Sequence, residues 1–348
     1  MKQSKRGKLP KLSKGRLRAV IIAAAVCALV IALVITDCFI PVKYLASYFV
    51  LRNKGAKSGV MRVRFIDVGY GDCAVVELPD GKNMLIDGGD GTFKNEAAIF
   101  KFLNKCDIDT IDYLVCTSVN NEQCGGLAEI VKNKRVEKIF MPYCKNVYVT
   151  DGYRDFVSAA DRSGAQKIIS EYGAGEVNEK SDYFFTFLSP SVHTDPTGAS
   201  EYENLNENPS SEQARNDASA VMWLEYGGVG MLFLGDVESG LQKKIVSDYN
   251  FVSSAGDGYC YINGRSVQLE KCKLIKAANH GNVKSACAPL YDLTKPQYAV
   301  VSVGQNGKGC PSLDAMSDAI EYAGDNFFRT DCYGTVTFEI ADGVLALK

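Results

Sequence analysis

The stretch Met61–Gly89, MRVRFIDVGYGDCAVVELPDGKNMLIDGG, decides the fold. Met61–Val68 alternates apolar and polar side chains, as a half-buried strand does. Gly69-Tyr70-Gly71-Asp72 turns the chain, and Cys73–Leu78 reads as a second strand. Pro79-Asp80-Gly81 predicts a hairpin turn, after which Asn83–Ile86 returns as a third strand and ends in Asp87-Gly88-Gly89. Three acids, Asp67, Asp72 and Asp87, therefore sit at or just beyond strand ends. Loops there often carry chemistry, although an aspartate beside glycine is also an ordinary turn residue.

The same alternation of strands and helices continues outward. Residues 94–105 predict a helix with Ala98, Ile99, Phe102 and Leu103 on one face, and Ile111–Cys116 a buried strand. A polar loop follows, then a helix over Gly126–Lys132 and a strand over Lys138–Pro142. Asp151–Arg162 reads as helix and Tyr183–Leu188 as strand. Ser191–Asp217, rich in Asn, Glu and Ser, reads as an exposed loop. Ala220–Tyr226 and Gly230–Leu234 form a hairpin that ends in Gly235-Asp236, and Val237–Asp248 is helical. Lys273–Ala278 is a strand ending in Asn279-His280-Gly281. Tyr298–Val303 is a strand, Ser312 caps a helix to Ala323, and Phe327–Thr330 and Val336–Ile340 close the chain. Two strand-rich halves with helices predict two sheets packed face to face with helices outside.

The chain has 348 residues, 46% of them hydrophobic and 23% charged, which excludes a mainly disordered chain. Eight Lys/Arg and no Asp/Glu fall in 1–18; with a net charge of −2 overall, the remainder carries −10. That acidic body does not attract nucleic acid. Ala19–Thr36 is apolar without charge, Gly or Pro. At about 1.5 Å per residue it matches one hydrocarbon core. The expected organisation is a basic cytoplasmic tail (1–18), a transmembrane anchor (19–36), a membrane-proximal stalk (37–60) and a domain outside the cytoplasm (61–348), with orientation set by the basic tail. Twelve cysteines without CxxC spacing exclude a zinc ribbon. They read as small buried side chains, with one or two disulfides open to a domain outside the cytoplasm.

The order of these loops resembles the metallo-β-lactamase fold, and more narrowly the soluble hydrolase-like domain of the ComEC type of DNA-uptake competence protein. The family's D-V-G-Q-G-D turn matches Asp67–Asp72, its L-I-D-G-G matches Leu85–Gly89, and its G-D after a hairpin matches Gly235-Asp236. Its S-V-G matches Ser302–Gly304 and its R-T-D-x-x-G-T matches Arg329–Thr335. The resemblance implies a four-layer αββα sandwich over about 61–340. The family's channel-forming region is absent, so a DNA-transport role does not carry over.

The departures fall on metal ligands. The family's T-H-x-[HD]-x-D-H-x-G-G-L loop reads Thr117-Ser118-Val119-Asn120-Asn121-Glu122-Gln123-Cys124-Gly125-Gly126-Leu127 here. Its H-H-G is Asn279-His280-Gly281, and its G-H-P-S is Gly309-Cys310-Pro311-Ser312. The degenerate site positions are thus Ser118, Asn120, Glu122, Gln123, Asp236, Asn279, His280 and Cys310, with Asp67, Asp72 and Asp87 in support. The chain's other histidine, His193, lies in the polar loop and reads as solvated. Zinc wants imidazole, thiolate or carboxylate, and amides and a hydroxyl replace imidazole poorly.

The expectation is a non-catalytic, membrane-anchored binding or assembly protein without cofactor, whose partner is a protein or cell-envelope ligand. The alternative is a metal-dependent hydrolase of phosphodiesterase or nuclease type, with zinc or another divalent metal on Glu122, Asp236 and His280, or a hard metal on Asp72, Asp87, Glu122 and Asp236 with amide oxygens. A third reading makes Cys310 a nucleophile near His280.

Overall fold

The computed structural model describes residues 14–37, 42–44, 50, 58–144, 148–190 and 211–348. The chain divides into two compact units, Met1–Phe49 and Val50–Lys348.

In the first unit, helix α1 (Lys14–Asp37) contains the apolar stretch read as an anchor. Its described side chains, 21–32, are exposed. Among the described residues no helix is long and apolar enough to cross a membrane. Most of the stalk read over 37–60 lies outside the described residues.

The second unit holds two sheets. One orders its strands β15-β14-β1-β2-β3-β4-β5-β6, the other β13-β12-β11-β10-β9-β8-β7. The first five strands are β1 (Met61–Phe65), β2 (Ala74–Glu77), β3 (Asn83–Ile86), β4 (Thr110–Val115) and β5 (Arg135–Met141). Then come β6 (Gln166–Ile169), β7 (Gly175–Asn178), β8 (Tyr183–Ser189), β9 (Val221–Tyr226) and β10 (Val229–Phe233). The last are β11 (Cys272–Lys276), β12 (Tyr298–Val301), β13 (Phe327–Arg329), β14 (Val336–Ala341) and β15 (Val344–Leu347).

Strand alternation sets the layers. Met222 and Leu224 of β9 point into the core between the sheets, where Phe65, Phe140, Phe185, Phe233 and Phe338 gather. Val221 and Trp223 of the same strand point the other way, against a helical layer. That layer is α7 (Ser239–Ser254), α8 (Ala288–Thr294) and α9 (Leu313–Ala323), which supply Ile245, Leu290 and Ala319. Phe65 and Phe233 stack across the sheets at 5.9 Å, and Tyr113 meets Phe185 edge-on at 5.2 Å. Each such ring removes enough apolar surface from water to contribute about 1.5–3 kcal/mol.

On the other sheet, α2 (Phe93–Lys105), α3 (Asn121–Cys124), α4 (Leu127–Asn133) and α5 (Asp151–Ser163) form the helical side, with α4 against β5. The expected cap forms, Ser312 Oγ accepting from Ala315 N, and Thr150 Oγ1 likewise accepts from Tyr153 N.

Two readings change. Part of the expected loop is helix α6 (Ser211–Asp217), with Asn216 and Asp217 buried; 191–210, with His193, lie outside the described residues. Edge strands β6, β7 and β15 escaped notice because they are short and show little or no strict alternation of buried and exposed positions.

Candidate functional site

The site forms where strand ends of both sheets converge. Asp72 lies in the β1–β2 turn, Asp87 follows β3, residues 117–126 follow β4, Asp236 follows β10, and Asn279-His280 follow β11. Backbone hydrogen bonds join three of these loops. Asp72 N donates to Glu122 O (3.0 Å), Gly88 N to Gln123 O (2.7 Å) and Gly126 N to Gly89 O (3.2 Å). A Cβ on Gly126 would lie 2.2 Å from Gly88 O, so the Gly-Gly-Leu frame is what lets the loops touch. Asn279 and His280 are both left-handed, at φ 46° and 52°. Such strain persists where the surroundings over-determine it, as at functional sites.

At the centre stands Gln123, fully buried. Its Nε2 lies 2.8 Å from Asp236 Oδ1, 3.0 Å from His280 Nε2 and 3.1 Å from Asp72 Oδ2. The reverse amide orientation would turn an acceptor toward two carboxylates, which fixes nitrogen on this side. His280 Nδ1 is 2.8 Å from Ser302 O. A carbonyl only accepts, so Nδ1 carries the hydrogen and Nε2 accepts from Gln123. Asp72, Asp236 and His280 offer ligand atoms within 4.8 Å of one another, the group among the described residues able to hold a metal ion. The amide nitrogen lies within 3.1 Å of all three and has two hydrogens to share among them.

Charge is balanced deeper in. Lys276 Nζ lies 2.6 Å from Asp72 Oδ2, both buried. Burial works to raise the Asp72 carboxyl, but the Lys276 charge and the hydrogen bonds from Lys276 and Gln123 hold it below its usual range. Asp87 accepts from Thr117 N (2.7 Å) and Thr117 Oγ1 (2.6 Å); burial and the Asp72 charge push its carboxyl well up. Burial also raises Asp236, whose Oδ2 accepts from Asn120 Nδ2 at 2.7 Å. Asn120 in turn donates to Asn216 Oδ1 (2.9 Å) and accepts from Arg215 Nε (2.7 Å).

Outside this network opens a polar pocket of about 370 Å³. Glu122 turns away from the centre and accepts from Lys308 Nζ at 2.5 Å. Burial opposes that charge, yet Lys308 holds the carboxyl below its ordinary value. The Tyr70 ring centroid lies 4.4 Å from that of His280, and burial and Cys310 raise its hydroxyl pKa. Cys310 Sγ takes weak hydrogen bonds from Tyr70 Oη (3.9 Å) and Asn282 Nδ2 (3.7 Å), and none joins it to His280.

Of the residues named from the sequence, Asp72, Asn120, Gln123, Asp236 and His280 come together as one bonded cluster. Asn279 and Glu122 line the outer pocket. Ser118 is buried and accepts from Asn120 N at 3.2 Å, a loop-shaping role. Asp87 shapes the Thr117 loop from behind. Asp67 is exposed and caps its own turn through Gly69 N. Among the metal candidates, Glu122 stands apart and Asp72 takes its place beside Asp236 and His280. The pairing of Cys310 with His280 is not made. Sequence reading missed Lys276, Arg215, Asn216 and Lys308. Lys276 carried a signal: a charge ending the apolar run Leu274-Ile275 needs a buried partner.

The seven cysteines Cys73, Cys106, Cys116, Cys124, Cys260, Cys272 and Cys287 are buried, as expected of small core side chains.

Comparison with known proteins places this geometry. ComE operon protein 3 of Bacillus subtilis is 22% identical over 298 residues, covering 81% of this chain and 33% of that protein. The chain thus matches about a third of that relative's length. Among solved structures, the metallo-beta-lactamase fold protein YhfI of Bacillus subtilis is 10% identical, with a TM-score of 0.48, over 81% of this chain and 100% of its own. CmlA, a diiron beta-hydroxylase from Streptomyces venezuelae, is 11% identical, with a TM-score of 0.47, over 80% of this chain and 54% of its own. The family model described as "Metallo-beta-lactamase superfamily" matches residues 66–251, more than half of the chain, and the chain belongs to that superfamily.

Proposed function

We infer that this chain is a membrane-tethered, non-catalytic member of its superfamily, whose pocket binds a partner instead of hydrolysing a substrate. The observation that carries the reading is Gln123 Nε2, within 3.1 Å of Asp72, Asp236 and His280. A metal there would displace a buried amide and sit beside the Lys276 ammonium. A paired-metal centre would lack donors as well, since Ser118 and Asn120 are neutral and Asn120 is spent on Asp236, Asn216 and Arg215. The residues present do not fit such a centre.

The anchor belongs to the same reading. Support comes from the uncharged run Ala19–Thr36, the continuous helix Lys14–Asp37, and the exposure of its described apolar side chains, such as Ile21, Leu29 and Ile31. The basic tail keeps the N-terminus in the cytoplasm and the domain outside it. The partner is then a protein or a cell-envelope ligand, and the acidic body argues against nucleic acid.

A second reading has its own observation. Asp72, Asp236 and His280 converge closely enough to hold one ion, as an altered hydrolase with zinc or another divalent metal would require. Thermal unfolding of the full chain in detergent, with and without zinc, manganese or magnesium, separates the two. The first reading expects no metal-dependent rise in Tm and no phosphodiester hydrolysis. A rise of several degrees that Asp236→Ala abolishes would establish the second, because a ligand bound only by the native state stabilises it by mass action.

A further inference from the structure

The outer pocket has a lining that the superfamily reading does not explain. Asn279 is 8% exposed and lines the pocket, yet no hydrogen bond holds its side chain among the described residues. An amide that faces a pocket with its donor and acceptor both free can bond to a ligand there. Nearby, Asn121 accepts from Gly152 N through Oδ1, which leaves its amide nitrogen available at the mouth. At about 370 Å³ the pocket falls in the range of small-molecule sites, roughly 300–1,000 Å³.

The lining narrows the ligand class. An apolar molecule finds one aromatic wall, Tyr70, whose ring is already flanked by His280 and by Lys308 Nζ at 5.0 Å. An anion finds both cations engaged, Lys308 with Glu122 and Arg215 with Asn120 and Tyr148 O. It would also face the carboxylates of Glu122, Glu212 and Asp236. What remains available is amide: a donor and an acceptor side by side on Asn279, and a further donor on Asn121. Hydroxyl groups, each both donor and acceptor, match such a surface without bringing charge.

We propose that this pocket binds a neutral saccharide, with Asn279 as its central hydrogen-bonding residue. The proposal rests on the reading of the site as a metal-free binding pocket outside the cytoplasm, where cell-envelope glycans are within reach.

The test uses the full chain in a detergent without a sugar headgroup. Maltose and N,N′-diacetylchitobiose are titrated by calorimetry, and inorganic phosphate is titrated in parallel. At least one sugar is expected to bind. The variant Asn279→Gly accepts the left-handed backbone without strain and should weaken binding about tenfold, the value of one or two hydrogen bonds, at unchanged secondary structure. Should that variant fail to fold, Asn279→Asp keeps the backbone preference, removes the amide donor and carries the same expectation. Neither sugar binding at about 10 mM, where a millimolar site fills, would overturn the proposal. So would sugar binding that is indifferent to residue 279, or phosphate binding that depends on it. Metal content is measured on the same sample: absence of both sugar binding and metal defeats this proposal alone, whereas stoichiometric metal defeats the reading beneath it.

Discussion

Gln123 places its amide nitrogen 2.8 Å from Asp236 Oδ1, and the same nitrogen reaches His280 and Asp72. One neutral side chain thus stands between three groups that are each held from another side, Asp72 by Lys276, Asp236 by Asn120 and His280 by Ser302 O. The fold keeps its loop architecture through this amide.

Replacing Gln123 with a side chain of similar size but no polarity exposes that role. Gln123→Leu leaves Asp236 Oδ1 and His280 Nε2 without their donor. Unfolding in urea should show a loss of about 2–3 kcal/mol, the cost of unsatisfied buried polar groups. An unchanged midpoint would show that the amide is incidental.

The Asp72–Lys276 pair makes a stronger demand. Both groups are buried, 2.6 Å apart, and removing one partner strands the other's charge. Lys276→Met should cost about 3–5 kcal/mol. The double variant Asp72→Asn, Lys276→Met should recover part of it. Equal loss in single and double variants would contradict this account.

Asp217 supplies a pH dependence. Burial, with help from Glu238, pushes its carboxyl up from 3.8 to about 6. A raised folded-state value means the folded protein binds the proton more tightly than the unfolded chain does. Stability from this group is therefore present below about pH 4 and lost as pH rises toward 6. Partial solvent contact reduces the effect to about 1 kcal/mol. Asp217→Asn should raise Tm at pH 8 and leave it unchanged near pH 4; equal gain at both would refute the assignment.

The sequence revealed the central strands because β1 alternates and β9–β10 form a tight apolar hairpin, and it revealed the loops because their glycines are forced by backbone contact, as at Gly88 and Gly126. It marked the positions whose residue type departs from the pattern of the family it resembles. It did not reveal what the new residues do. Ser118, Gln123 and Asn279 looked alike as lost ligands, yet one shapes a loop, one bonds the centre and one lines a pocket without a partner. Those roles depend on side-chain direction after long-range packing: Arg215 reaches Asn120 from 95 residues away. Likewise Glu122 carries the metal-ligand type but pairs with Lys308, 186 residues on.

Orientation of the proposed anchor is tested on intact cells. With eight basic residues ahead of Ala19–Thr36 and no acidic one, added protease should cleave the domain without lysis. Protection until lysis would place the domain inside.

Restoration tests the loop frame. The combined changes Ser118→His, Asn120→His, Glu122→Asp, Gln123→His, Asn279→His and Cys310→His return the family's donor types. Zinc should then stabilise the fold by about 4 kcal/mol at a thousandfold excess over Kd, read as a rise in Tm. Activity need not follow, since each imidazole also needs partners that orient it, and the six changes do not supply them. A folded variant indifferent to zinc would show that these loops do not correspond to the family's metal loops.

The central claim is that an amide, not a metal, joins Asp72, Asp236 and His280. Elemental analysis of the full chain, purified without chelator, measures it directly. The account predicts less than about 0.3 metal ions per chain for zinc, manganese and iron alike, because high affinity rests on donors this site lacks. One ion per chain, lost in Asp236→Ala, would contradict it.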